Sequence, residues 1–184
     1  MRTTARVGSV DIGKMEGGTQ RPTTRAAEGV RDVRADRSTA LGNVFAMPHR
    51  SGGGADERYR RLVVQAHRMM LGELEERGYS DMATIAREGP EGRGWWIRTG
   101  EGRFARTERV TIPLSEVWLA RDPRGQRHWE EVQRWGAMVA AGERIRLLCR
   151  CRWTRMDMPG CRECHCETTA EYIERVAAGS QENV

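Results

Sequence analysis

The chain has almost no lysine. Of its 31 basic residues only Lys14 is one, so the other 30 are arginines. Arginine's planar fork suits bidentate phosphate contacts, but a bias this uniform is accounted for equally well by codon composition, so only local clusters carry an argument. The sequence also lacks any run approaching the roughly 18 apolar residues of a spanning helix, and its opening stretch, MRTTARVGSVDIGKMEGG, has no apolar segment of secretory-signal length. A protein without membrane contact, in a reducing intracellular (cytoplasmic) setting, is the expectation. No internal repeat is present, and the glycines Gly52 to Gly54 are followed by no Walker lysine.

Cysteine is missing from the first 148 residues. All five cysteines fall between Cys149 and Cys166, as Cys149, Cys151, Cys161, Cys164 and Cys166, with His165 between the last two. In a reducing compartment such a cluster points to metal ligation or thiol chemistry, and the odd count argues against a complete set of disulfides. The same segment is basic. From Arg144 to Arg162 six arginines stand against Asp157 alone, while the whole chain of 184 residues carries a formal charge of +5.

Length and a charged fraction of 31% fit one soluble domain. Residues 1–29 read as a loop-rich N-terminal segment with one candidate strand in ARVGSVDI, and GVRDVRA supplies another at residues 29–35. Tyr59, Leu62, Val63, Ala66, Met69, Met70 and Leu74 recur at helical spacing and stop at Gly78, with His67 read as a face residue and the methionines as core filler. Ser80 and Asp81 are placed to cap a short helix through Arg87. WWIR and FARTERVTI, joined by the turn glycines of TGEGR, predict a β-hairpin with Trp95 and Trp96 on opposite faces.

Trp129, Val132, Trp135 and Val139 form one stripe of a helix that ends at Gly142. RIRLLCRC then reads as a strand, with Ile145, Leu147, Cys149 and Cys151 on one face. TTAEYIERVAAG predicts a last helix opened by a Thr168/Glu171 capping box and closed at Gly179, leaving residues 179–184 as a tail. Alternating helices and strands predict an α/β class: a single layered domain over residues 30–178, its small central sheet flanked by helices, with residues 78–112 as an insertion carrying the hairpin.

Two sulfurs two residues apart on a strand, Cys149 and Cys151, together with the chelating spacing Cys161-x-x-Cys164, offer four ligands for tetrahedral zinc. With His165 and Cys166 there are six candidate ligands for four places, and either of these two could stand in for Cys161. Alternatively Cys164 lies just ahead of a helix N-terminus, among arginines and beside His165, an environment that favours a nucleophilic thiolate with His165 as its catalytic partner. The helix start and the arginines Arg150 and Arg152 also make an anion site, placed where open α/β sheets bind phosphate-bearing ligands. In DRSTALGNVF, the turn Gly42-Asn43 sits between Leu41 and Phe45, leaving Arg37, Ser38 and Asn43 as candidate ligand contacts.

RSTALGNVF near the start and CRC followed by CHCE near the end resemble an uncharacterised domain family of bacteria, phages and some large viruses. That family carries an R-x-SPLGNPF-like and a CWC…CHGD-like motif. The matching residues are Arg37, Leu41, Gly42, Asn43 and Phe45, then Cys149, Cys151, Cys164 and His165. Val44, Cys166 and Glu167 depart from the pattern, and Cys161 is additional to it. The resemblance implies a site built from Cys149, Cys151, Cys164 and His165, and it implies no settled activity. The functional expectation is an α/β domain binding a phosphate-bearing nucleotide or nucleic-acid component beside a zinc site. Its rivals are a non-enzymatic, zinc-stapled basic module for RNA or DNA and a structural component of a larger assembly.

Overall fold

The computed structural model describes residues 8–14, 22, 25–36, 39–48, 56–100, 102–114, 124–149 and 164–182. Among these the chain is mixed α/β: a three-stranded parallel sheet, a two-stranded antiparallel hairpin and four α-helices. It divides into two compact units, one of residues 1–42 with 127–184 and one of residues 43–126. No helix among the described residues is long and apolar enough to cross a membrane.

The first unit is built on β1 (Ser9–Lys14), β2 (Val30–Arg34) and β5 (Arg144–Cys149). The strand that comes last in sequence lies in the middle, in the order β1-β5-β2, and both pairings are parallel. Leu147 is therefore flanked by Ile12 and Val33, and Ile145 by Val10 and Arg31. A central parallel strand is covered on both faces, which is why Ile145, Arg146, Leu147 and Leu148 are all buried. Arg146 is tolerated there because Asp32, its register partner on β2, accepts from Nε at 2.7 Å and from a terminal guanidinium nitrogen at 3.0 Å.

Helix α3 (Arg124–Ala140) buries the predicted stripe of Trp129, Val132, Trp135 and Val139, and α4 (His165–Glu182) packs along β1 and β5. The two helices approach closely at Gly136, where an added Cβ would lie 2.5 Å from Cγ1 of Val176. Trp129 meets Tyr172 edge-on at 6.3 Å between centroids. The last helix corrects one expectation: it begins at His165, not at Thr168, and runs through Gly179 to Glu182. The reason is its cap. The Glu167 carboxylate accepts from the main-chain N–H of Cys164 at 3.3 Å, while the N–H of Glu167 donates to the Cys164 carbonyl at 3.0 Å.

The second unit carries α1 (Arg60–Arg77), α2 (Met82–Glu88) and the hairpin β3 (Trp95–Thr99) with β4 (Arg106–Val110). Gly78 ends α1 in the left-handed region at φ +76°, its N–H bonded to the Leu74 carbonyl. His67 and Met70 on that helix are both fully buried. Asp81 caps α2 by accepting from the N–H of Thr84 at 3.0 Å, as its position predicts. Trp95 enters the core and donates from Nε1 to the Ile85 carbonyl at 2.7 Å, while Trp96 faces outward. The triple glycine at 52–54 lies outside the described residues.

Candidate metal centre

The parallel strands point their carboxyl ends at one edge of the sheet, and the chain's chemistry collects there. Ala35, just past β2, donates its N–H to the Leu148 carbonyl at 2.9 Å, so it sits against the end of β5. Its own carbonyl lies 2.8 Å from Nε2 of His165, the first residue of α4. A carbonyl can only accept, so Nε2 carries a proton. One unremarkable alanine thus ties the start of α4 to the centre of the sheet.

Around that tie Cys164, His165 and Cys166 converge, each offering a ligand atom within 4.8 Å of the others. All three are buried: Cys164 is 3% exposed, His165 7% and Cys166 0%. Adjacent residues seldom point the same way, but Cys164 lies ahead of the first helical turn. Its side chain is therefore free of the helical rotation that separates its successors. Cys166 Sγ is 3.6 Å from Nε2 of His165.

Hydrogen bonding from Cys166, and then from His165, holds the Cys164 thiol well below the ordinary thiol range, against the upward push of burial. A thiolate is the metal-binding form of cysteine, and at a helix N-terminus its charge also meets the positive end of the helix dipole.

Behind the cluster, His128 on α3 is fully buried. Thr169 donates its hydroxyl to the His165 carbonyl at 3.0 Å, so the Thr169 oxygen accepts at 3.4 Å from Nε2–H of His128. Desolvation, reinforced by His165, lowers His128 from the ordinary imidazole range to about 3, so it is neutral at any physiological pH. Main-chain groups of Ala40 and Gly42 favour the charged form of this ring, but weakly.

The candidates named from sequence fare differently. Cys164 and His165 are brought together, and Cys166, an alternative to Cys161 in the sequence reading, joins them. Cys149 ends β5, next to the Leu148 carbonyl that Ala35 engages. Asn43 is buried, its Oδ1 accepting from the Phe45 N–H at 2.9 Å and its Nδ2 lying 3.5 Å from the Val63 carbonyl. That amide shapes its own turn. Arg37, Ser38, Arg150, Arg152, Cys151 and Cys161 lie outside the described residues. What the sequence did not disclose was Ala35, Thr169 and His128, whose parts depend on packing partners distant in the chain.

Comparison with known protein families, with curated proteins and with solved structures finds no match to this chain. The family resemblance noted above rests on its two short motifs.

Proposed function

We propose that this chain is a metal-binding α/β domain in which Cys164, His165 and Cys166 hold a zinc ion, and that a phosphate-bearing nucleotide or nucleic-acid component binds beside it. The observation carrying the reading is the convergence of two buried sulfurs and one imidazole within 4.8 Å, with Cys164 favoured as thiolate. Two zinc–sulfur bonds of about 2.3 Å reach roughly that far, so small side-chain rotations would suffice to close on an ion. The Ala35 carbonyl orients the His165 ring, as second partners do for ligating imidazoles. The further ligand carried over from the sequence is Cys149, the last residue of β5.

Burial favours a metal over a nucleophile. A thiolate with 3% exposure offers little surface to a substrate, whereas a buried negative charge gains from a divalent cation beside it. The helix start is largely satisfied by Glu167 and the Cys164 thiolate, so phosphate contacts fall to Arg37, Arg150 and Arg152. In the chain these stand just after β2 and β5. Zinc analysis of protein purified under reducing conditions without chelator tests the metal. About one ion per chain is expected, lost in Cys164→Ser and in Cys166→Ser. Metal-free protein that folds normally and carries one fast-alkylating cysteine would overturn the assignment. Nucleoside mono-, di- and triphosphates should each be screened for a rise in melting temperature, which ligand linkage requires of any binder.

A further inference from the structure

The hairpin of the second unit has two unlike faces. Trp95 and Ile97 turn inward, buried at 2% and 6% exposure. Antiparallel register sets Trp96 directly opposite Arg109 and Arg98 opposite Thr107, and residues two apart on a strand share a face. Trp96, Arg98, Thr107 and Arg109 therefore form one contiguous outward patch, and all four are exposed.

Trp96 is 51% exposed, yet its indole is held, because Nε1 donates to the Arg93 carbonyl at 3.1 Å. At the hairpin tip Phe104 is 70% exposed with the Arg103 guanidinium 5.0 Å from its ring centroid. Only three large apolar side chains are exposed among the described residues, and this hairpin holds two of them. The charge is equally one-sided: between Arg93 and Val110 the sequence has five arginines and two glutamates. Of these, Glu108 and Arg106 pair across the strands with Ile97 and Thr99 and so belong to the opposite face.

We propose that this face binds single-stranded nucleic acid, with Trp96 as a stacking platform for a base and Arg98 and Arg109 contacting the flanking phosphates. Exposed π-faces alternating with guanidinium groups match the alternation of base and phosphate along a single strand. Duplex buries its bases in the stack and offers only its backbone to a flat hairpin, so it uses half of these groups. The tip lies about 10 Å beyond Trp96 at roughly 3.4 Å per strand residue, which leaves Phe104 in reach of a following base. This inference is independent of the zinc assignment, since it uses no residue of the metal cluster.

The test uses the full chain and a dye-labelled oligothymidylate of about 20 nucleotides, longer than a single site of roughly 4–16. Trp96→Ala should weaken binding about tenfold, the order of one lost base–aromatic stack, and Trp96→Phe should keep most of the affinity. Arg98→Gln with Arg109→Gln should reduce the salt slope by about 0.7 for each phosphate contact removed. All three side chains are exposed, and circular dichroism will confirm that the variants fold. Unchanged oligonucleotide affinity in both Trp96→Ala and the double arginine variant overturns the proposal. It is overturned equally if duplex binds as tightly as single strand, or if these variants lose binding only to anionic phospholipid vesicles.

Discussion

Nε2 of His165 and the main-chain oxygen of Ala35 are 2.8 Å apart, although 130 residues separate them in the chain. The contact orients the imidazole and sets the first turn of α4 against the end of β2. Replacing His165 by Ala leaves the Ala35 carbonyl with only the weak Cys166 thiol as donor, a loss of about 1–3 kcal/mol. Urea denaturation should show it as a lower midpoint with unchanged slope, and zinc content should fall in parallel.

Alkylation kinetics report on the cysteines directly. In zinc-loaded protein Cys164 and Cys166 should react slowly until a chelator is added, because metal-bound thiolates are tied up. In the stripped protein Cys166→Ala removes the largest influence lowering the Cys164 thiol. The Cys164 rate should then regain the steep rise with pH of an ordinary thiol, whereas with Cys166 present it should vary little between about pH 7 and 8. Mass mapping of the modified residue as pH is varied distinguishes the two.

Acid should destabilise the first unit through His128. Its native imidazole is lowered to about 3 by burial, whereas in the unfolded chain it takes up a proton in the ordinary range of about 6.5. Between those values the unfolded state binds the extra proton, so stability is full above about 6.5 and falls by up to ~1.4 kcal/mol per pH unit as pH drops toward 3. His128→Gln should flatten that part of the stability profile, measured by denaturant unfolding at stepped pH.

Gly136 is a packing requirement rather than a turn. In Gly136→Ala the new methyl would meet Val176 Cγ1 at 2.5 Å and Cβ at 2.7 Å, so α3 and α4 must separate. A loss of about 1–3 kcal/mol is expected despite the better helix propensity of alanine, read as a lower melting temperature. Partial recovery in Gly136→Ala with Val176→Ala would confirm the contact.

Asp81 caps α2 through the N–H and hydroxyl of Thr84, and these bonds hold its carboxyl below the usual range. The depressed group stabilises the fold above the unfolded carboxylate range, and this is lost as pH falls through the lower native value. Asp81→Ala should cost about 1 kcal/mol at neutral pH and less in acid.

Local signals were legible wherever a residue's role depends on its near neighbours. The stripe from Trp129 to Val139, the Gly78 stop, the Asp81 cap and the inward and outward tryptophans all follow from helix or strand periodicity and one-turn hydrogen bonds. The start of α4 was misplaced because two capping pairs compete in CHCETTAE. Thr168 and Glu171 have the standard spacing, but burying Cys164 and Cys166 against the sheet selects Glu167 as the cap.

By itself the sequence determined an α/β class, a hairpin with two faces and a terminal cluster of cysteines with one histidine, because composition and period are properties of the chain alone. Only the tertiary structure decided that the last strand enters between the first two, that Cys166 joins Cys164 and His165, and that Ala35, Thr169 and His128 support them. Those contacts join residues up to 130 positions apart. No spacing rule encodes them, since they exist only once burial of the parallel sheet has brought the carboxyl ends of β2 and β5 to the same edge as the start of α4.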